Sequence, residues 1–324
     1  MPPTSTRCGV AITTCTAPPP SVGPHPSVRR VIVVVGGANL DVKAHSARDA
    51  VARTSNPGSV LRSAGGVGRN VAENVARLGT EVCLVAAVGT DPAGDEVLAA
   101  TRAAGVDVSR VARVPQPTGT YVAVLDADGE LVVAVSDMAA TESIGPGDVD
   151  AAADAIAAAS LVVLDGNLGT AALGRALEVC AATGARVVLD PVSVPKAAAL
   201  AGLLSPRTPL WAVTPNRDEL DALGGSAGAL HDRGVELVWT RLGVAGSRLS
   251  SRDSSTDIAF IGAPEVLDVT GAGDAMLGAF CHAVLAGADP AEAAAYGQSA
   301  AALTVASAHT VRPDLTDELV RSLL

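Results

Sequence analysis

Near the C-terminal end the chain reads Asp268-Val-Thr-Gly-Ala-Gly-Asp274, followed by a helical stretch, Ala275–Leu285. Glycines at 271 and 273 let backbone N–H groups turn inward at the start of that helix. There the helix dipole and the unpaired amides make an anion site. Asp274 falls in the first helical turn, where an acidic residue is also common on dipole grounds alone. The combination is what informs: a carboxylate beside an anion hole can take a proton from a hydroxyl while the amides hold a phosphoryl group. Phosphoryl transfer needs that arrangement. A second cluster, Gly65-Gly66-Val-Gly68-Arg69-Asn70, opens a helix running to Leu78. Gly66 and Asn70 could set a backbone amide and a side-chain amide against sugar hydroxyls, or simply start the helix. Asn39 and Asp41 share a face if the chain there is extended. They could grip vicinal hydroxyls or merely form a turn. Neither glycine cluster meets the dinucleotide fingerprint, and no G-x-x-x-x-G-K-[ST] loop exists. A Rossmann dehydrogenase and a P-loop NTPase are both disfavoured.

The elements that must position these groups alternate. Val31–Val35 is a run of five β-branched residues ending in Gly36-Gly37, which predicts a buried parallel strand. Val82–Val88, Leu161–Leu164, Arg186–Leu189, Leu210–Val213 and Leu237–Trp239 repeat the pattern. Helical stretches are expected at Val67–Leu78, Gly94–Ala104, Asp148–Ala159, Ala171–Thr183 and Asp218–Leu223. The fold class is therefore α/β, a doubly wound, mostly parallel sheet flanked by helices. Two segments break the alternation: polar 41–63 with its Ser55-Asn56-Pro57-Gly58 turn, and 114–138, which contains a hairpin around Asp126–Gly129. Together they predict a small β-sheet lid beside the strand ends, where open α/β sheets bind ligands.

Composition narrows the class. The 324 residues are 48% hydrophobic and 18% charged, enough for a sizeable core. No apolar run approaches the roughly 20 residues of a membrane span. A net charge of −11 repels nucleic-acid backbones, and only two lysines, Lys43 and Lys196, are present. The five cysteines form no C-x-x-C pair and no zinc-spaced cluster, as expected of reduced thiols in the cytoplasm. Residues 1–30 carry seven prolines and no acidic residue. They read as a disordered extension or an early start, so the folded unit is expected over 31–324.

In this order, Gly36–Asp41, Gly65–Gly79, Thr214-Pro-Asn-Arg-Asp-Glu219 and Asp268–Asp274 resemble the PfkB, or ribokinase-like, carbohydrate and nucleoside kinases over nearly all of 31–324. Within that family, Ser55–Gly58, Thr118–Asp126, Val135–Met138, Asp190–Ser193 and Thr310–Leu315 look most like the kinases of pseudouridine. The resemblance implies ATP-dependent phosphorylation of that nucleoside's 5′-hydroxyl, with Mg²⁺. It makes Asp274 the base and Gly271, Ala272 and Gly273 the anion hole. Asn216 and Glu219 match a motif that organises Mg²⁺ and phosphate, through water. Thr240, Gly243 and Gly246 lie where the family binds ATP. Asn39, Asp41, Gly66 and Asn70 match sugar-binding positions, and Asn167 lies where the family often reaches the sugar. Thr120, Asp137 and Lys196 are candidates for reading the base or closing the site. Asp268 matches a monovalent-cation position, so K⁺ is a candidate activator. The lid implies a homodimer. Rival readings are a kinase for ribose, fructose, adenosine, uridine or inosine, and a non-catalytic nucleoside-binding protein on the same fold.

Overall fold

A computed structural model describes residues 31–263 and 265–324. The expected N-terminal extension, with Cys8 and Cys15, lies outside the described residues. Among the described residues thirteen strands are formed: β1 Val31–Val35, β2 Asn39–Ser46, β3 Gly58–Gly65, β4 Glu81–Gly89, β5 Asp107–Val114, β6 Gly119–Leu125, β7 Leu131–Asp137, β8 Leu161–Asp165, β9 Val187–Asp190, β10 Leu210–Val213, β11 Val235–Arg241, β12 Ser247–Ser250 and β13 Ser255–Ile258. Among the described residues they make a nine-stranded sheet, ordered β13-β12-β11-β10-β9-β8-β1-β4-β5, and a four-stranded sheet, ordered β3-β2-β6-β7.

The large sheet is parallel except where β12 and β13 add an antiparallel edge. β1 lies inside it, paired with β4 on one side and β8 on the other. Its side chains alternate between two cores, which is why the run contains no polar residue. Ile32 and Val34 join the core under the helices Val67–Arg77 and Ala272–Ala286. Val33 and Val35 join the core under Thr170–Thr183. The chain leaves β1 toward β4 and later returns on its other side as β8. Strand order therefore reverses between β1 and β8, and a crevice opens at their C-terminal ends.

The small sheet grows out of that crevice. β2 follows β1 after three residues and pairs antiparallel with β3, Asn39 opposite Gly65. β2 also pairs in parallel with β6, which turns back as β7. The expected helix over Asp148–Ala159 is two short helices, Pro146–Ala151 and Ala153–Ala158, divided at Ala152. No helix of the described residues is long and apolar enough to cross a membrane.

Candidate active site

Two helices bring the central pair together. Gly278 of the helix Ala272–Ala286 packs so closely on Val67–Arg77 that a methyl there would lie 2.9 Å from Asn74 Cβ and 3.0 Å from the Val71 carbonyl oxygen. That approach places Asn70 Nδ2 2.8 Å from Asp274 Oδ2, to which it donates. The other face of the same helix is held by Phe280, whose ring centroid lies 5.7 Å from that of Trp211 and 4.8 Å from that of Trp239. Gly271 caps the helix in the left-handed region, φ 80°, and backs onto the Thr310 carbonyl, which leaves no room for a side chain. Burial pushes the Asp274 carboxyl up to about 7; the Asn70 amide opposes this, Asp190 and Asp165 add to it, and Arg241 opposes it. A carboxyl tuned to that range suits a general base working near neutrality.

Asp165 ends β8 at the strand-order reversal and is buried. It accepts the Gly37 N–H at 2.8 Å, the Gly68 N–H at 2.9 Å, the Asn167 N–H at 2.8 Å and Asn167 Nδ2 at 2.6 Å. One carboxylate thus ties the end of β1, the start of the Val67–Arg77 helix and Asn167 into a single frame. Lys196 Nζ in turn donates to Asn167 Oδ1. Asp165 belongs to none of the sequence motifs above, although the pattern Leu-Val-Val-Leu-Asp carries a signal. A carboxylate closing a wholly buried strand is costly unless several N–H groups meet it. Asp190, closing β9 in the same way, accepts the Val192 N–H at 2.8 Å. Val192 takes a positive φ of 66°, a strained conformation for a β-branched residue.

On β2, Asn39 Nδ2 donates to Asp41 Oδ1 at 2.6 Å, so the two side chains do share a face. Burial pushes the Asp41 carboxyl above its usual range, against the Asn39 bond and the nearby Lys43 and Arg69 charges. Thr120 and Asp137 are not part of this group. Strand pairing sets Thr120 beside Leu40 and opposite Asp137, on the reverse face of the small sheet. Their side chains bond locally, Thr120 to the Thr118 carbonyl and Asp137 to the Ala139 N–H. Gly66 caps the Val67–Arg77 helix with φ 99°.

A cavity of about 550 Å³ opens against the other side of the helix start. Asn216, Glu219, Gly243, Gly246, Ala272 and Gly273 line it, together with the apolar side chains of Val244, Phe260, Ile261, Val266 and Met276. Thr240 is not among the lining residues. Successive strand residues face opposite ways, and on β11 it is Arg241 that points into the cavity. Asn216 and Glu219 form a reciprocal helix cap: Asn216 Oδ1 accepts the Glu219 N–H at 2.9 Å and Glu219 Oε2 accepts the Asn216 N–H at 2.8 Å. Asp268, the candidate cation residue, takes Lys43 Nζ of β2 at 2.5 Å and the Thr270 N–H at 2.8 Å. An ammonium group therefore already neutralises that carboxylate.

The family model for pfkB family carbohydrate kinases matches residues 29–317. The chain belongs to the PfkB family. The PfkB relatives include the pseudouridine kinase of Escherichia coli, 31% identical over 305 residues, which are 90% of this chain and 96% of the relative. Among solved structures, a carbohydrate kinase from Agrobacterium tumefaciens superposes with a TM-score of 0.81 at 31% identity, covering 91% of this chain and 96% of that one. A ribokinase of Arabidopsis thaliana, complexed with ribose and ATP, gives 0.75 at 25% identity, covering 91% and 98%. The PfkB assignment makes this chain a phosphotransferase with an alcohol acceptor on a ribokinase-like fold.

Proposed function

We propose that the chain transfers the γ-phosphoryl group of ATP to the 5′-hydroxyl of pseudouridine, giving pseudouridine 5′-phosphate and ADP. The observation that carries the reading is the Asp274 carboxyl, pushed to about 7, oriented by Asn70 at 2.8 Å and set at a glycine-opened helix start. The cavity beside it has the mixed lining an adenine nucleotide needs, apolar side chains together with polar groups and the helix start. The helix start at Ala272 and Gly273 is then the phosphate end. Asp274 takes the proton of the acceptor hydroxyl as the new P–O bond forms and the bond to the ADP oxygen breaks. The amides of 271–273 face the charge on the transferred group. Asn39, Asp41, Gly66 and Asn70 hold the ribose, with Asn167 and Lys196 at the far side.

The donor set fits Mg²⁺ held through water. Both Glu219 hydrogen bonds of this site fall on Oε2, leaving Oε1 for a hydrated ion. No cluster of three or more His, Cys, Asp or Glu suited to direct coordination occurs among the described residues. Bound there, Mg²⁺ would neutralise phosphate charge.

Pseudouridine is favoured over other acceptors by the similarity to its Escherichia coli kinase across nearly the whole of both chains. We further read the small sheet as a lid that excludes water, a second copy of the chain as its partner, and the cytoplasm as its location. The test is ADP release with Mg-ATP, with and without K⁺, on pseudouridine, uridine, inosine, adenosine, ribose and fructose. Selective turnover of pseudouridine is expected. Preference for another acceptor would replace the substrate and leave the chemistry standing. No turnover on any of them would favour a nucleoside-binding protein instead.

A further inference from the structure

Arg241 is a cation of this site that belongs to none of the sequence motifs above. It ends β11 with its backbone N–H donated to the Pro215 carbonyl at 2.8 Å, and its side chain enters the cavity between two carboxylates. Nη2 donates to Glu219 Oε2 at 3.2 Å and Nη1 to Asp190 Oδ2 at 3.5 Å. Both contacts are long for charge-assisted bonds, which usually close to about 2.7–2.9 Å. The fork is held in place without being saturated. Nε is buried and has no hydrogen-bond partner, a state that calls for an explanation, since an unmet buried donor is costly. The guanidinium also lies over the helix start, because Nη1 is 2.7 Å from where a methyl on Gly273 would be. Position 273 must lack a side chain for Arg241 to occupy that place.

We propose that Arg241 is a catalytic residue whose ligand is the terminal phosphoryl group of the nucleotide. Asp190 and Glu219 carry the guanidinium to the mouth of the 271–273 amides, and the arriving phosphate completes its donors. As the γ-phosphorus leaves the ADP oxygen for the acceptor oxygen, charge on the equatorial oxygens is met by Arg241 on one side and the helix amides on the other. The proton goes to Asp274, and Arg241 remains protonated throughout. The inference rests on the kinase reading but makes a separate claim: this site should distinguish a triphosphate from a diphosphate through one side chain.

The test is calorimetric binding of ATP and ADP, without acceptor, to wild type, Arg241→Met, Arg241→Lys and Gly273→Ala, together with kcat and KM. Arg241→Met should lower the ATP-to-ADP affinity ratio at least tenfold and kcat by about 10²-fold or more, leaving the acceptor KM within twofold. Arg241→Lys, which keeps the charge and loses the fork, should recover part of kcat. Gly273→Ala should displace the guanidinium and lower the same ratio. A folded Arg241→Met with an unchanged ATP-to-ADP ratio would overturn the proposal and make Arg241 a strut between Asp190 and Glu219. If wild type prefers ATP through Arg241 yet phosphorylates no acceptor, the contact of Arg241 with the terminal phosphate stands, while its catalytic role falls with the kinase reading.

Discussion

Asp274 is held in a conflict that its neighbours set. Burial favours the protonated carboxyl and Asn70 favours the carboxylate, with a balance near 7. As a base it must be deprotonated, so kcat/KM should rise with pH through a midpoint near 7. Asn70→Ala removes the bond that favours the charged form and should move that midpoint upward. An unmoved midpoint would mean that another group limits the profile. The same shift has a stability sign. The folded state holds this proton more tightly than the unfolded chain does, so the group's favourable contribution is complete at low pH. That contribution is lost as pH rises from the ordinary carboxyl range to about 7. Asp274→Asn should therefore cut turnover by 10²–10⁴-fold or more. It should also raise Tm by a few degrees at pH 8, and by less at pH 5. Thermal melts at the two pH values check both the sign and the trend.

Packing between the helices Val67–Arg77 and Ala272–Ala286 is what makes a residue-scale hydrogen bond possible. Gly278→Val should drive them apart at the Val71–Asn74 turn, costing about 1–3 kcal/mol in urea unfolding and lowering kcat. Normal kcat in that variant would mean that Asn70 and Asp274 adjust independently of the helix contact. What could be read of these elements from sequence alone follows from how each is stabilised. β1 was legible because a central strand buried on both faces tolerates only apolar, β-branched residues. β5 was not: as an edge strand it carries Asp107, Arg110 and Arg113, which break the apolar run. The helix Pro290–Val305 went unread although Asp289 and Glu292 form a capping box at its start. At the site, Asp274 and Asn70 were visible because each belongs to a local glycine-rich helix start, and Asn39 and Asp41 because they are neighbours both in sequence and in space, although the contact between Asn70 and Asp274 spans 204 residues. Arg241 and Asp165 were not, because each acts across the fold. Arg241 joins β11, β9 and the Gly273 turn, while Asp165 joins β8, β1 and a helix start. Which way Arg241 points depends on which face of β11 meets the helix, and no local pattern states that.

At the scale of the whole molecule, the small sheet leaves apolar surface uncovered. Val60 on β3, Ala44 on β2, Val124 on β6 and Val133 on β7 lie in one cross-strand row. Val60 and Val133 are 66% and 52% exposed, and Val135 on the same face is 63% exposed. A second copy pairing through this sheet would bury that row. Val133→Lys should then give a monomer by sedimentation velocity where wild type gives a dimer, and a monomeric wild type would remove the proposal. The scarcity of lysine has a practical consequence at this scale. Both lysines are engaged around the cleft, Lys43 on Asp268 and Lys196 on Asn167, and both are half-buried. Apart from the terminal α-amine, the molecule offers acylating reagents no other nitrogen of that kind. Once the acyl group on the α-amine is subtracted, its intact mass after brief treatment with an amine reagent becomes a readout of the cleft. Each acyl group withheld by added nucleoside or nucleotide would report occupancy, in an unmodified chain and with no engineered label.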